Sequence, residues 1–412
     1  MTRFLAYTSP ARGHLYPLVP TLLELKRRGH EVAVRTLASE VGLMRELGFD
    51  AAPIDPAIEA RQIDDWRAKS PVGALKLSLA AFFERARHDG PDLRRAIEEE
   101  RPDALLVDIN TWGALTTAST GDLPWASWCP YFLPLPSRDA PPFGPGFPPA
   151  KGLAGRFRDR LAGALLMRFY NSTLPALNDV RRELGAAPLY SVADALREPP
   201  LLLYQTAEPF EYHHSDWPDR IVMTGPGIWD PPAEPPAWLA EITKPLVLVT
   251  CSTEFQDDGR LVRAALEALA DEDVQVVATT AGVDPAGIDA PPNARVERFL
   301  PHGPLVERAA CVICHGGMGI TQKALAAGVP VCVVPFGRDQ LEVARRVDLA
   351  GAGTRLAASR LNPKRLRAAT LEAMSRRDGA RRLADAFARA GGPAAAADAL
   401  EHELDRQPSA AL

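Results

Sequence analysis

Cysteine is scarce: the 412 residues hold five, an odd number that does not suggest a disulfide framework. Aromatic residues make up only 7%, and lysine occurs seven times, so the positive charge is nearly all arginine. Lys+Arg 47 against Asp+Glu 52 gives a net charge of −5, which leaves no overall basic footprint for nucleic acid. No apolar run approaches the ~20 residues of a membrane helix. The N-terminus, Met1-Thr2-Arg3-Phe4-Leu5-Ala6-Tyr7, turns polar at Thr8 and reads as a strand rather than a signal peptide. A cytoplasmic protein with no nucleic-acid or integral-membrane partner is the expectation.

Several chemistries also lack their usual carriers. G-x-G occurs at 144, 225, 317 and 351, yet none has a third glycine three positions on. There is no Walker A sequence, no H-E-x-x-H and no G-x-S-x-G, so hydride transfer, ATP hydrolysis and serine hydrolysis lack their usual carriers. Cys311-Val312-Ile313-Cys314-His315 matches the haem-attachment spacing. It lies in an apolar strand without room for a haem loop, and its cysteines read as small core fillers.

What is present is 46% apolar and 24% charged residues, enough for two domains of roughly 200 residues each. The first 36 residues read as strand, turn, helix, Gly29 and strand, a spacing that forces a parallel pair with a right-handed crossover. A buried strand at 104–107 ends in Asp108. Residues 130–149 carry eight prolines and are expected to be a long surface loop; 226–236 holds five prolines in eleven residues and reads as a semi-rigid linker. A second α/β series starts at Leu246, and an Ala-rich helical tail is broken at Gly391-Gly392-Pro393. The expected organisation is an N-terminal Rossmann-like domain over 1–225, a linker over 226–244, a second Rossmann-like domain over 245–390 and a tail over 391–412.

Open parallel sheets bind ligands beyond the carboxyl ends of their strands, and the informative residues fall there. In Cys314-His315-Gly316-Gly317-Met318-Gly319-Ile320-Thr321, an apolar strand ends at His315 and a helix follows. Glycines let an anion approach the backbone, and the helix N-terminus attracts it; His315 and the Thr321 hydroxyl add donors. A plain strand–helix turn with a capping histidine is the alternative. His14, after the first strand, has the pKa range of a general base, and Asp108 on the same sheet edge can hold its other nitrogen. A structural histidine and an Asp helix cap are the competing readings. Asp339 and Gln340 follow another strand, where they can bind several hydroxyls or simply start a helix. Thr250-Cys251-Ser252-Thr253 ends the first strand of the second domain and adds a hydroxyl pair to that edge.

Taken in order, "GHLYPLVPTLLELKRRGHEV" and "HGGMGITQKALAAGVPVCVVPFGRDQ" resemble the bacterial branch of the nucleotide-sugar glycosyltransferases with the two-Rossmann GT-B fold, the antibiotic and macrolide glycosyltransferases among them. That resemblance implies an inverting, metal-independent transfer of a hexose, with no cofactor beyond the nucleotide-sugar cosubstrate. It makes His14 the base and Asp108 its orienting carboxylate. It places Phe299 at the nucleobase and the Leu300 backbone at its edge. Thr253, His315, Gly317, Met318 and Gly319 would hold the diphosphate, and Asp339 and Gln340 the sugar. Trp66, Phe82, Trp112, Phe132 and Phe143 are candidates for an apolar acceptor pocket, with core packing as the alternative for at least half of the N-terminal aromatics.

Two departures bear on the donor. UDP-sugar enzymes of this class usually carry a Glu eight residues after the phosphate histidine, where Lys323 stands here. His302 and Phe299 replace a Gln and a Trp. The expected activity is transfer from a UDP-glucose-type donor to a hydroxyl of a polyketide, macrolide or phenol. A dTDP-deoxysugar transferase is the alternative, and a sugar-nucleotide 2-epimerase or a silent nucleotide-binding partner are rivals from other classes. Monomer and homodimer both stay open, as does closure of 137–156 over the acceptor.

Overall fold

The structure is a computed structural model and describes residues 1–68, 70–252, 259–281 and 284–406. The apolar run Phe4–Tyr7 has little choice but to be an interior strand: all four side chains are essentially inaccessible. Around it a seven-stranded parallel sheet assembles from β1 (Arg3–Tyr7), β2 (Glu31–Thr36), β3 (Asp50–Pro53), β4 (Ala104–Asp108), β5 (Trp125–Cys129), β6 (Leu202–Tyr204) and β7 (Ile221–Met223). Its spatial order is β3-β2-β1-β4-β5-β6-β7. The order reverses direction between β1 and β4, and a crevice opens there beyond the strand ends. Tyr7 pairs with Val107 in that register, which puts Asp108 beside the turn that leads to His14.

The second sheet contains β8 (Leu246–Thr250), β9 (Gln275–Thr279), β10 (Ala294–Glu297), β11 (Ala309–Cys314), β12 (Val331–Val333) and β13 (Gly353–Arg355). It is also parallel, in the order β10-β9-β8-β11-β12-β13, with its own switch point between β8 and β11. Cys311, Cys314 and Cys332 lie buried within it, as small core residues. Both sheets are covered by helices on both faces, as all-parallel sheets must be.

One connection differs from the sequence expectation, and two others make contacts that composition does not reveal. The proline-rich stretch is irregular but is not a surface loop: Phe132, Leu133 and Leu135 are buried. Its Gly144 and Gly146 N–H groups donate to Glu342 Oε1 of the second domain at 2.7 and 2.8 Å. The linker is docked too. The Trp229 and Tyr16 rings lie 5.1 Å apart, and a Cβ on Gly227 would come within 1.8 Å of the Pro17 carbonyl oxygen. The tail helix Gly392–Arg406 returns to the first domain, where Ala396, Ala397 and Leu400 join the apolar cluster of Leu15, Leu18 and Leu22.

Polar contacts bind the two domains across their facing edges. Arg346 spans Glu342 and Glu211, at 2.7 Å to each, with all three side chains buried. Arg338 makes a two-pronged pair with Asp65 (2.8 and 2.9 Å). Gln322 donates to the Gln205 carbonyl at 3.0 Å.

Candidate active site

On the first domain the site starts from Asp108, the last residue of β4, with no accessible surface. A lone buried carboxylate would protonate, and burial does push it that way. The His14 ring and the donors around it prevail, and the carboxyl lies below its ordinary range. Oδ2 accepts from the Ser9 N–H (2.9 Å) and hydroxyl (2.8 Å), and Oδ1 from the Asn110 N–H (2.9 Å). His14, in the first turn of helix Arg12–Arg27, places Nδ1 2.9 Å from Oδ1 and 3.0 Å from Oδ2. A carboxylate so held is acceptor-only, so Nδ1 carries the proton and the neutral ring has its lone pair on Nε2. Helix capping is therefore not what occupies Asp108. Asn110 and Tyr131 complete the cluster. The Asn110 side-chain nitrogen is 3.2 Å from Nε2, and the Tyr131 hydroxyl donates to Asn110 Oδ1 at 2.8 Å. Sequence reasoning passed over both residues. The one available hint was the spacing of Asn110, two residues beyond the carboxylate.

On the second domain, β11 runs into His315 and then helix Met318–Ala326. Gly316 adopts φ +95°, a left-handed conformation that favours glycine. A Cβ on Gly317 would lie 2.5 Å from His315 Nε2, so a side chain there would displace the ring. Gly319, in the first turn, faces open space. No side chain caps this helix, so its first N–H groups point outward unclaimed by a capping residue. Burial, aided by the Arg338 charge, pushes the His315 imidazole down to about 4. It is a neutral hydrogen-bonding group at neutral pH, not a cation. The Thr321 hydroxyl faces inward, fully buried and 3.6 Å from Cys314 Sγ, and so belongs to the core rather than to an anion site.

Asp339 occupies the position before helix Gln340–Leu349, yet its side chain caps nothing; burial raises its carboxyl, and the nearby Arg338 and His14 charges oppose that. The His14 charge thus reaches this carboxyl of the second domain. Gln340 is buried, and its carbonyl oxygen accepts from the Phe336 (2.7 Å) and Gly337 (3.1 Å) N–H groups, so that half of the amide shapes its own loop. Phe299 is 66% exposed, presenting an open ring face, while Leu300 packs against the core. His302 meets the Thr279 hydroxyl at 3.1 Å. Lys323 is ion-paired with linker residue Asp230, whose other oxygen accepts from the Gly303 N–H at 2.9 Å. Thr253 lies outside the described residues.

The acceptor candidates separate. Phe143 lines a cavity of about 350 Å³ together with Leu133, Met167, Tyr170 and Trp217. Phe82 and Trp112 pack ring to ring at 5.4 Å, both half-buried. Trp66 is 44% exposed, with the Arg67 guanidinium 5.0 Å over its ring. Phe132 has no exposed surface and sits against Phe210 (5.3 Å) and the Arg346 guanidinium (3.9 Å). It is a core residue, which corrects its place among the pocket candidates. Among the described residues no group of three or more His, Cys, Asp or Glu side chains could hold a metal ion, and no helix is long and apolar enough to cross a membrane.

Two parallel-sheet domains facing one another across such a cleft define the GT-B fold. Residues 263–402 match the family described as erythromycin biosynthesis protein CIII-like, C-terminal domain. The 4'-demethylrebeccamycin synthase of Lentzea aerocolonigenes is 32% identical over 417 residues, covering 97% of this chain and 99% of that protein. The NDP-glycosyltransferase YjiC of Bacillus subtilis is 24% identical, over 84% and 82% of the two chains. Among solved structures, the glycotransferase of kitacinnamycin superposes with a TM-score of 0.74 at 23% identity, covering 98% of each chain. The glycosyltransferase VinC in complex with dTDP gives 0.71 at 22%, covering 98% of this chain and 100% of that one. The chain belongs to the glycosyltransferases of antibiotic biosynthesis, and it is a sugar-transferring enzyme.

Proposed function

We propose that this enzyme moves a hexose, with inversion and without a metal, from a dTDP-linked donor to a hydroxyl of a hydrophobic natural product. The observation that carries the reading is the pairing of His14 with a buried, ionised Asp108. Across the cleft lies the glycine turn that opens an uncapped helix. His14 Nε2 takes the acceptor's hydroxyl proton, and Asp108 stabilises the imidazolium that forms. The acceptor oxygen bonds to the anomeric carbon on the face opposite the diphosphate. The bond from that carbon to the diphosphate oxygen breaks, and its electron pair leaves on the nucleoside diphosphate. Preorganised N–H donors at the start of Met318–Ala326 meet the charge of the leaving group. Asp339 holds sugar hydroxyls, and Phe299 stacks on the base.

The preference for dTDP over the UDP-glucose-type donor rests on Lys323. A carboxylate there could accept from ribose hydroxyls, whereas this lysine is held by Asp230 and offers no acceptor. Deoxyribose lacks the 2'-hydroxyl and needs less. The dTDP complex of VinC, a protein of the same fold, points the same way. Thermal unfolding with dTDP, UDP, ADP and GDP at matched millimolar concentrations tests the reading. A nucleotide at about 100 times its Kd stabilises by roughly 2.7 kcal/mol. The largest shift is expected with dTDP. A larger shift with UDP would overturn the donor choice, and no shift with any nucleotide would overturn the donor site.

A further inference from the structure

We infer that Asn110, oriented by Tyr131, is a positioning residue that keeps His14 Nε2 ready to accept a proton until an acceptor hydroxyl takes the place of the amide. The inference rests on the reading of His14 as the base. The donors and acceptors around the imidazole fit one orientation of the Asn110 amide. Asp108 accepts from Ser9 and Asn110 backbone groups and therefore takes the Nδ1 proton of His14. That leaves a lone pair on Nε2, and the group 3.2 Å away is the Asn110 side chain. Only the NH2 end of an amide complements a lone pair. The carbonyl end then faces the Tyr131 hydroxyl at 2.8 Å, which donates to it. Burial drives the Tyr131 phenol well above its ordinary range, so it keeps its proton and remains a donor. Turning the amide over would set the carbonyl against the imidazole lone pair and the NH2 against the phenol proton.

The consequence is a bias on the protonation state of the base. Among the described residues, titratable and charged groups facing His14 include Asp108 on β4, Asp339 from the second domain with Arg338 beside it, and Tyr131 after β5. The two carboxylates favour the imidazolium, and a ring protonated at rest cannot take a proton from the acceptor. A proton on Nε2 would point at the Asn110 NH2, donor against donor in a half-buried setting, and would require that amide to leave. Asn110 thus opposes the carboxylates in the resting enzyme. The acceptor hydroxyl, approaching the same lone pair, replaces one N–H donor by an O–H donor and keeps Nε2 paired throughout.

The test is the pH dependence of transfer, as kcat/KM, together with an NMR titration of the His14 imidazole, its signal assigned by its loss in His14→Ala. Asn110→Leu removes the donor, and Tyr131→Phe, which differs by one oxygen atom, lets the amide present its carbonyl. Both should move the acidic limb and the His14 titration upward by about one pH unit, a tenfold change in the protonation equilibrium. Asn110→Asp, which sets a carboxylate against Nε2, should move them further in the same direction. Uniformly slower transfer with unchanged limbs and an unchanged titration would overturn the inference. Should His14→Ala retain transfer, the base assignment falls instead, while the His14 titration still decides the role of Asn110.

Discussion

Replacing Glu342 by glutamine should unfasten the proline-rich loop from the second domain. Glu342 is 1% exposed and fully engaged: one oxygen accepts from the Gly144 and Gly146 N–H groups, the other from Arg346 at 2.7 Å. Every partner is a donor, so glutamine has no satisfactory orientation. If its carbonyl faces the two glycines its NH2 meets the guanidinium; if reversed, its NH2 meets two N–H groups. Removing one partner of a buried pair costs about 3–5 kcal/mol, and the low end applies because Arg346 keeps Glu211. With an unfolding entropy of about 2.1 cal/mol/K per residue, 412 residues unfolding together should lose about 3–4 °C in Tm. Calorimetry on Glu342→Gln, with the exposed Glu307→Gln as control, measures it. Because the loop carries Phe143 into the 350 Å³ cavity, the KM for the acceptor should rise more than that for the donor. A Tm within 1 °C of the parent, or equal changes in both KM values, would refute the reasoning.

Further outcomes follow from other contacts. His315 titrates at about 4 in the folded chain against ~6.5 when unfolded. Between those values the unfolded state binds a proton that the folded state refuses, so stability falls as pH drops through the window, by up to ~3 kcal/mol. Thermal unfolding from pH 7 to 4.5 should show a shallower slope for His315→Asn, and identical slopes would contradict the assignment. Truncation after Ala390 strips Leu400, Ala396 and Ala397 from the first domain's core and removes Asp398 and Glu401, which pair with Arg28 and His30. It should cost roughly 3 kcal/mol or more and raise hydrogen exchange in helix Arg12–Arg27. Gly227→Ala drives a methyl to 1.8 Å from the Pro17 carbonyl oxygen, and a loss of about 1–3 kcal/mol in chemical denaturation is expected.

The opening strand–helix–strand unit and the placement of the candidate site residues beyond strand ends were legible because each rests on local signals: an apolar run, a helix stop at Gly29, a glycine turn after β11. His14 and Asp108, 94 residues apart, could be paired because parallel register makes neighbours of the ends of β1 and β4, and His14 follows just after the first of them. Asn110 and Tyr131 were not legible, since their meaning depends on which lone pair the imidazole exposes. The proline-rich 130–149 segment looked solvent-facing, yet its anchor is a carboxylate nearly 200 residues away. Phe132 and Thr321 have residue types suited to a pocket and to a phosphate site; only packing shows that both face the core. Strands β6 and β7 are three residues each, too short for periodicity to show, and the tail's partner on the first domain leaves no local mark.

The central claim is that His14 acts as base while the second domain binds the nucleotide. The direct measurement is single-turnover transfer and calorimetric dTDP binding on the same preparation of His14→Ala. The account predicts loss of transfer by at least 10²-fold, the lower range of general-base catalysis, with nucleotide affinity within about threefold of the parent. Retained transfer, or parallel loss of transfer and nucleotide binding, would contradict it.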